Sequence, residues 1–449
     1  MRDQSEKDVI VIGAGLTGSL VSIFLAQEGL DVSIFELRPD LRKVDLPAGR
    51  SINMALSHRG IAALQKVGIF DQLSKDLIPM KGRSIHLKDG TTTFQAYGVQ
   101  ENHVIYSISR SLLNRRLLEA CDHYPQIEKR FQYRCQWMNY ETNMLFVEDL
   151  DHGREQSFHP QTVIATDGAF SAIRKSMIRQ TRFSYSQQYM DYGYKELSIP
   201  SLPHQKHALD SQALHIWPRE QYMMIALPNA DGSFTCTLFL PFEGEISFQN
   251  ISTAQRVQTF LSAEFPDLVE HCPSIVEEYL HHPVGDLLTL SSSPWNIEGQ
   301  SLLLGDAAHC MVPFFGQGMN AAFEDCQMLM ESLKQHDFDF RKAYDSFWPG
   351  RKKDTDAISN MALDNFIEMR SKVRDPQFLL RKKLERALES HFPDRFKSLY
   401  SKVSFSHIPY SKIAEEEGEN QALIQRLMNH PDFLDPDHEK FPLWIQKQF

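Results

Sequence analysis

The chain has 449 residues, of which 42% are hydrophobic and 23% are charged, and its formal net charge is -11. This length and composition indicate a soluble globular protein with more than one domain, and no apolar run reaches the roughly 18 residues that a membrane-spanning helix needs. The acidic balance, without a long basic tract, excludes the electrostatic pattern expected of a nucleic-acid-binding protein.

The cysteines and the first residues bear on the cellular compartment. No CxxC pair and no Cys/His spacing typical of zinc is present, so free thiols in a reducing compartment are expected, without a bound metal. Residues 1–7 are charged and lead directly into a predicted strand, so no secretory signal peptide is expected. A cytoplasmic protein is therefore predicted. Its cysteines are Cys121, Cys135, Cys236, Cys272, Cys310 and Cys326.

The first predicted elements form a βαβ unit. Residues 9–12 are a β-branched run typical of a strand buried on both faces, and a helix and a second strand ending at Glu36 follow. Between the first strand and the helix, Gly13 permits a tight turn, Gly15 lets the backbone approach a pyrophosphate, and Gly18 allows close packing. Glu36 is placed to accept ribose hydroxyls. Because strand, helix and acidic residue are all in place, a chance loop is disfavoured and a dinucleotide site is predicted.

Beyond this unit the chain alternates between β-rich and helical segments. The predicted segments are a helix at 59–67, strands at 85–97, a helix from 109, a β-meander at 131–164, mostly β structure at 183–290 and helices at 320–400. The last strand of the meander ends in Asp167-Gly168. Only one βαβ fingerprint is present, so a second dinucleotide would bind without a unit of its own.

A second glycine-rich segment lies far along the chain. An apolar strand at 302–304 runs into Gly305-Asp306-Ala307-Ala308-His309, and a glycine-rich turn then opens an Ala-rich helix. Either a flavin or NAD(P) as the sole cofactor is compatible with the first turn. The second turn favours FAD, whose ribityl chain and ring must be held far from its adenosine. Asp306 is placed to accept hydrogen bonds from the ribityl hydroxyls. The backbone N–H groups of residues 316–320 are placed to stabilise the negative charge of the reduced flavin ring. His309 is expected to be structural.

Taken in order, Gly13-x-Gly15-x-x-Gly18, Asp167-Gly168 and Gly305-Asp306 resemble the motifs of the class A flavoprotein aromatic hydroxylases. The resemblance implies an α/β fold with a Rossmann-like FAD-binding domain, an inserted β-sheet substrate domain and a helical C-terminal region. It also implies that the Asp-Gly motif serves both tightly bound FAD and transient NADPH. The predicted cofactor-binding residues are Gly13, Gly15, Thr17, Gly18, Glu36, Arg38, Ala55, Arg110, Asp167, Asp306, Gly318, Met319 and Asn320.

The same resemblance sets the expected domain boundaries. The FAD-binding domain is expected at 1–72, 99–180 and 286–350, the β-rich substrate domain at 73–98 and 181–285, and the helical C-terminal region at 351–449.

Several segments outside the cofactor motifs carry a further resemblance. They are Gly49-Arg50-Ser51-Ile52-Asn53, Ser57-His58-Arg59-Gly60, and residues 183–189, 214–219, 223–229, 313–320 and 365–370. These segments are similar to the kynurenine 3-monooxygenase family, and the similarity covers roughly residues 8–412. The similarity implies hydroxylation of L-kynurenine to 3-hydroxykynurenine with NADPH and O2, through a flavin C4a-hydroperoxide and without a protein base. Eukaryotic members carry a C-terminal membrane anchor, and no apolar run of that kind occurs here. A soluble, bacterial-type monomer or homodimer is therefore expected.

The family resemblance also implies a substrate site. Arg83, Tyr97 and Asn365 are expected at the substrate carboxylate, and Glu368 and Tyr410 near its amine and the pocket wall. The alternatives for these residues are, in the same order, a surface arginine, a half-buried strand tyrosine, a helix-surface amide, an exposed glutamate and a core tyrosine. The remaining predicted substrate residues are Ile225, Leu227 and Phe239 in the ring slot, Phe314 near the flavin, and Met369, which shares a helix face with Asn365.

Two other functions stay open on the sequence. The chain is compatible with a class A hydroxylase of another aromatic acid, and with a flavin-binding redox sensor that has no turnover. A flavin halogenase is disfavoured, because no Trp-x-Trp-x-Ile-Pro motif occurs.

Overall fold

A computed structural model describes residues 9–44, 53–100, 102–180, 182–371 and 375–448. The segment Gly49-Arg50-Ser51-Ile52, on which part of the family resemblance depends, lies outside these residues. The strands are β1 (Val9–Ile12), β2 (Val32–Glu36), β3 (Asn53–Leu56), β4 (Ile78–Met80), β5 (Gly82–His86), β6 (Thr92–Ala96), β7 (Ile105–Ser109), β8 (Ile127–Phe131), β9 (Tyr133–Asn139), β10 (Met144–Asp149), β11 (Arg154–Phe158), β12 (Thr162–Ala165), β13 (Ser184–Ile199), β14 (Ala213–Arg219), β15 (Tyr222–Pro228), β16 (Phe234–Pro241), β17 (Gly285–Ser293), β18 (Asn296–Ile297) and β19 (Ser301–Leu303).

The helices occupy the segments between these strands and most of the C-terminal part. They are α1 (Leu16–Gln27), α2 (His58–Lys66), α3 (Arg110–Cys121), α4 (Ala172–Ile178), α5 (Ala254–Glu264), α6 (Pro266–Val269), α7 (Ile275–His281), α8 (Asp306–His309), α9 (Gly318–Gln335), α10 (Phe340–Ser371), α11 (Pro376–His391), α12 (Leu399–Phe405), α13 (Tyr410–Met428) and α14 (Phe441–Gln448). Short 3-10 turns lie at Phe70–Leu73 and Pro313–Phe315.

The chain divides into two compact units. Unit 1 comprises Met1–Leu77, Ile108–Met190 and Asp286–Ser359, and unit 2 comprises Ile78–Ser107, Asp191–Gly285 and Asn360–Phe449. The sequence predicts a separate helical region at the C-terminus, whereas in the structure residues 360–449 belong to the same compact unit as the β-rich segments. Ring stacking explains this grouping, because two aromatic side chains of α12 pack on the segment around β6. The stacked pairs are Tyr97–Tyr400 and His103–Phe405.

Unit 1 contains a six-stranded sheet in the order β18-β19-β12-β1-β2-β8. Its β1 strand is β-branched and buried along its whole length, as expected for a strand covered on both faces. The parallel neighbours β1, β12 and β19 are in register, with Ile12 opposite Ala165 and Ala165 opposite Leu303. Parallel neighbours end at the same edge of a sheet. The turns that follow these three strands therefore lie side by side, and they are the turns that carry the three motifs.

Unit 2 contains β16, β15, β14, β5, β6 and residues 191–199 of β13, which are neighbours in a seven-stranded sheet in the order β13-β16-β15-β14-β5-β6. One face of this sheet packs against α5, α6 and α7 in a hydrophobic core. Members of that core include Trp217, Met224, Ala226, Leu238, Leu261, Leu268 and Tyr279. A second cluster holds α11, α13 and α14 together through Leu384, Leu388, Ile424, Leu427 and Ile445. One face of the sheet is therefore buried against these helices.

A buried polar chain crosses the core face of unit 2. His86 places Nδ1 2.9 Å from a carboxylate oxygen of Asp267 and Nε2 2.8 Å from Nδ1 of His215. The other nitrogen of His215 lies 2.8 Å from the carbonyl oxygen of Asp210, which only accepts, so that nitrogen carries a proton. Burial lowers the pKa of His215 to about 4, so its ring is neutral and Nδ1 accepts. Nε2 of His86 therefore donates to Nδ1 of His215, and Nδ1 of His86 faces the Asp267 carboxylate.

This arrangement predicts acid sensitivity. The pKa of His215 is about 4 in the folded chain and about 6.5 in an unfolded one, so only the unfolded chain gains this proton as the pH falls between those values. The stabilisation from neutral His215 is complete above about pH 6.5 and is lost toward pH 4, by up to about 3 kcal/mol. His215→Asn should show a smaller drop than wild type in the urea midpoint between about pH 7 and pH 4.5. Equal drops in both proteins would contradict the assignment.

Candidate active site

The first two motifs pack directly on each other. Gly13 has φ +98°, and a Cβ added there would lie 2.8 Å from the carbonyl oxygen of Thr166. A Cβ on Gly18 would overlap the Gly13 carbonyl oxygen, so this position also requires glycine. The Thr166 hydroxyl lies 2.8 Å from the Ile12 carbonyl oxygen and donates to it. The GxGxxG turn is therefore fixed against the strand end that leads into Asp167.

The third motif meets the first turn through Thr17. Gly305 has φ +59°, and a Cβ added there would lie 3.0 Å from the Thr17 hydroxyl and 3.3 Å from the Ala322 side chain. Gly316 also lies in the left-handed region, with φ +66°, and a Cβ there would come within 3.3 Å of Ala55. The two glycine-rich turns, far apart in sequence, therefore occupy one region of unit 1, as the sequence predicts for a single large cofactor.

Asp306 and Asp167 each have a carboxylate oxygen without a hydrogen-bond partner among the described residues. Half-buried Asp306 forms no hydrogen bond or ion pair with any other described residue. Asp167 accepts the Ala172 N–H at 2.7 Å through one oxygen, while its other oxygen is buried and lacks a hydrogen-bond partner in the described part of the chain. Burial raises the pKa of Asp167 against the hydrogen bonds that lower it. Buried acceptors without partners indicate a ligand with hydroxyl donors, which fits the ribityl and ribose groups of FAD.

Glu36 and Arg38 form the adenosine side of the predicted cofactor set. One Glu36 oxygen accepts the Ala14 N–H at 2.8 Å, and the other lies 2.8 Å from Nε of Arg38. Arg38 also donates its backbone N–H and Nη2 to this carboxylate, so a ribose hydroxyl would replace a contact of the exposed Arg38 side chain. Arg110 is exposed at the start of α3, and the space around Gly15 is open to an added Cβ. These positions are compatible with the predicted roles.

The Asn320 side chain has a role that the sequence does not reveal. Its Oδ1 accepts the Ser57 N–H at 2.9 Å, and its Nδ2 donates to the carbonyl oxygens of Ala55 and Gly316, each at 2.8 Å. The side chain is fully buried. It therefore ties β3 to the glycine-rich turn, and the predicted contact with the flavin ring is left to the backbone N–H groups of residues 318–320. In the first turn of a helix these groups have no intrahelical acceptor.

Strand register in unit 2 places the predicted ring-slot residues on one face of the sheet. Residues directly opposite each other on neighbouring strands share a face. The pairs that fix this register are Arg83–Leu214, Ile216–Ile225, Ile225–Thr237, Met223–Phe239 and Leu227–Thr235. Arg83, Ile225, Leu227 and Phe239 consequently lie on the face opposite the hydrophobic core. Tyr97 continues β6 two residues beyond the partner of Arg83, on that same face.

Two stacked aromatic rings lie beside the Arg83 guanidinium. Its central carbon lies 4.7 Å from the ring centre of Tyr400 and 5.7 Å from that of Tyr97, and the two rings stack at 4.9 Å. The Arg83 Nε and the Tyr97 hydroxyl are buried, with no hydrogen-bond partner within the described ranges. Burial raises the pKa of Tyr97 well above its ordinary value, so its hydroxyl remains a donor. The site therefore offers a cation and unpaired donors to an anion.

Tyr400 was not identified from the sequence, because its contact with Arg83 depends on where α12 packs. Tyr410, which the sequence proposes instead, is fully buried as the first residue of α13. The aromatic rings found over Arg83 in the described chain are those of Tyr97 and Tyr400. A role for Tyr410 at the substrate stays a prediction.

The last predicted substrate residues lie on α10. Met361, Asn365 and Met369 are all buried on one helix face, as their spacing predicts. The Asn365 amide lies 3.4 Å from the Met369 sulfur. Glu368 pairs with Lys382 of α11 at 3.2 Å, and its charge also acts on Arg83. Phe314 is buried in the 3-10 turn of unit 1.

The described residues contain neither a membrane-spanning helix nor a cluster of metal ligands. No helix among them has the length and hydropathy required to cross a membrane. No group of three or more His, Cys, Asp or Glu side chains in the same ranges is arranged to hold a metal ion.

Comparison with known proteins first defines the class. Residues 6–336 match the family model described as FAD binding domain. The fold is similar to the tetrameric form of 2-methyl-3-hydroxypyridine-5-carboxylic acid oxygenase, with a TM-score of 0.67 at 17% identity, covering 85% of this chain and 98% of that chain. The predictions of the fold class and of FAD as the cofactor are confirmed: the chain has the fold of the flavin-dependent aromatic hydroxylases.

Sequence comparison then defines the family. The kynurenine 3-monooxygenase of Myxococcus xanthus (strain DK1622) is 43% identical over 410 residues, which cover 91% of this chain and 88% of that protein. The kynurenine 3-monooxygenase of Dictyostelium discoideum is 41% identical over 454 residues, which cover 98% and 97% respectively. The chain belongs to the kynurenine 3-monooxygenase family.

Proposed function

We propose that this chain hydroxylates L-kynurenine to 3-hydroxykynurenine, with bound FAD, NADPH and O2. Family membership supports the reaction, and one observation in unit 2 carries the assignment of the substrate. The buried Arg83 Nε and Tyr97 hydroxyl lack partners in the described chain although both are strong donors. A buried donor without a partner costs about 1–3 kcal/mol, so it indicates a ligand that supplies the acceptor. A substrate carboxylate would satisfy both donors.

The remaining parts of L-kynurenine have matching groups in unit 2. Its α-ammonium requires an anion, and the half-exposed Glu368 carboxylate is the anion whose charge acts on Arg83. Its aromatic ring requires an apolar wall, which Ile225, Leu227 and Phe239 form on the same face of the sheet as Arg83. A site with a cation, an anion and an apolar wall fits an aromatic amino acid better than a simple aromatic acid.

FAD is proposed to bind in unit 1, where the turns that carry the three motifs lie side by side. Asp306 would accept from the ribityl chain, Glu36 from the ribose, and the first turn of α9 would face the ring oxygens. Asp167-Gly168 would serve both FAD and transient NADPH. Bound FAD supplies electron transfer from NADPH and oxygen activation. The protein's own residues bind and orient the substrate and exclude water, and the electron-rich aniline requires no protein base.

A cytoplasmic location is also proposed. The six cysteines are free thiols. Burial raises the pKa of Cys121 to about 12, so this thiol stays protonated and unreactive. Unpaired cysteines of this kind are typical of proteins from reducing compartments.

NADPH oxidation by the FAD-loaded protein tests the proposed substrate. L-kynurenine should stimulate oxidation strongly, whereas its decarboxylated analogue, which keeps the aniline ketone, should stimulate it at least about tenfold less because the carboxylate contact is lost. Comparable stimulation by simple aromatic acids would favour a hydroxylase of another acid. Bound FAD without stimulation by any member of the panel would favour a redox sensor.

A further inference from the structure

Two buried carboxylates on α9 form ion pairs within unit 1. Glu324 and Asp325 are adjacent on this helix, and both are buried. Glu324 pairs with Arg59 at 2.5 Å and with Arg351 at 2.7 Å. Asp325 pairs with Nε of Arg351 at 2.5 Å. Buried charges are retained only when they are paired, and here each carboxylate has a guanidinium partner.

Asp325 additionally contacts both ends of the short helix α8. Its Oδ2 accepts the backbone N–H of Gly305 at 3.2 Å, just before α8 begins. The same oxygen lies 2.6 Å from Nε2 of His309, the last residue of α8. Asp306 lies between these two anchors. One carboxylate oxygen thus fixes the turn from which the Asp306 side chain projects.

The conformation at Gly305 explains why the turn needs such an anchor. Gly305 has φ 59° and ψ −139°, a combination open to glycine and strongly disfavoured for other residues. Glycine also has the most conformational freedom to lose, so an external hydrogen bond is needed to hold one geometry. Burial alone would raise the pKa of Asp325, but His309 and Arg351 lower it, so the group stays an ionised acceptor.

We propose that Asp325 is a positioning residue for FAD: by holding Gly305 and His309 it orients Asp306 toward the ribityl hydroxyls. This inference rests on the proposed role of Asp306 in FAD binding. The Asp325 carboxylate is fully buried, so it acts through Asp306 rather than by touching the cofactor.

Glu324 provides a matched control. Glu324→Gln and Asp325→Asn each replace a buried carboxylate on α9 by an amide of the same shape, and each weakens an ion pair with Arg351. Among the described residues the Glu324 carboxylate pairs with the guanidinium groups of Arg59 and Arg351, and it forms no hydrogen bond or ion pair with α8. If Asp325 only stabilised the fold, the two variants should lose FAD affinity equally.

FAD dissociation constants of the deflavinated full-length protein, measured by flavin fluorescence, test the proposal. Asp325→Asn should weaken FAD binding by about tenfold or more, as expected for loss of a charge-assisted hydrogen bond, and Glu324→Gln by less than about threefold. In a double-mutant cycle, Asp306→Ala/Asp325→Asn should bind FAD no more weakly than Asp306→Ala alone, because Asp325 acts through Asp306. His309→Gln weakens the contact between residue 309 and the Asp325 carboxylate, so it should weaken FAD binding by about threefold. This variant provides a second test of the proposal if Asp325→Asn does not fold.

Additive losses in the cycle, or equal losses for Glu324→Gln and Asp325→Asn, would overturn the proposal. If instead Asp306 does not contact FAD, Asp306→Ala itself would retain wild-type FAD affinity, and this result is distinguishable from the two above.

Discussion

Arg83→Met is expected to weaken L-kynurenine binding by about 30- to 150-fold, or about 2–3 kcal/mol, while the protein keeps its FAD. Methionine fills most of the space that the Arg83 side chain occupies beside the stacked Tyr97 and Tyr400 rings but offers no donor to a carboxylate. The perturbation of the bound flavin spectrum on titration with L-kynurenine measures the affinity directly. The kinetic signature is a raised KM for L-kynurenine with a smaller change in KM for NADPH.

Arg130→Met is the matched control for this substitution. The Arg130 guanidinium also lies over two aromatic rings, 5.3 Å from Phe35 and 5.1 Å from Phe158, but on unit 1. Its loss should leave L-kynurenine affinity within about twofold of wild type, as for a site away from the substrate. Unchanged affinity in Arg83→Met, or an equal loss in Arg130→Met, would count against the carboxylate site.

Asp306→Ala is expected to give protein that purifies with little flavin and binds FAD about tenfold to a hundredfold more weakly, since an acceptor for the ribityl hydroxyls is gone. Asp306 has no hydrogen bond or ion pair in the described chain, so the thermal midpoint of the apoprotein should barely change. Flavin content after purification and fluorescence titration of the apoprotein measure the effect. Because wild-type holoprotein gains stability from its ligand, its midpoint should fall toward that of the variant when FAD is removed.

Asp286→Ala serves as the control for Asp306→Ala, because Asp286 is an exposed carboxylate of the same unit. It should purify with a full complement of FAD. A fully loaded Asp306→Ala protein, or equal flavin loss in both variants, would show that Asp306 does not hold the cofactor.

The parts of this fold that the sequence predicts are those governed by local geometry. Gly13 and Gly305 have backbone conformations or close approaches that only glycine accommodates, so their motifs indicate turns wherever they occur. Asn365 and Met369 are four residues apart on one helix, so their shared face follows from helical spacing. Alternation along β15 likewise places Ile225 and Leu227 on one face of a sheet.

The parts that the sequence does not predict depend on how distant segments pack. Tyr400 reaches Arg83 only because α12 stacks on the end of β6. The Asn320 side chain, for which the sequence predicts no separate role, ties β3 to α9. Asp325 is one of many acidic residues in the sequence, and only the packing of α9 against α8 and α10 shows that it anchors both ends of the Asp306 turn. Contacts of this kind have no local sequence signal.

The proposed reaction transfers one atom of O2 to the ring of L-kynurenine. Mass spectrometry of the product formed by the FAD-loaded protein with NADPH and L-kynurenine under ¹⁸O2 follows that atom. We expect 3-hydroxykynurenine that carries a single ¹⁸O, formed in proportion to the NADPH consumed. NADPH oxidation that yields only hydrogen peroxide, or a hydroxylated product whose oxygen derives from water, would contradict it.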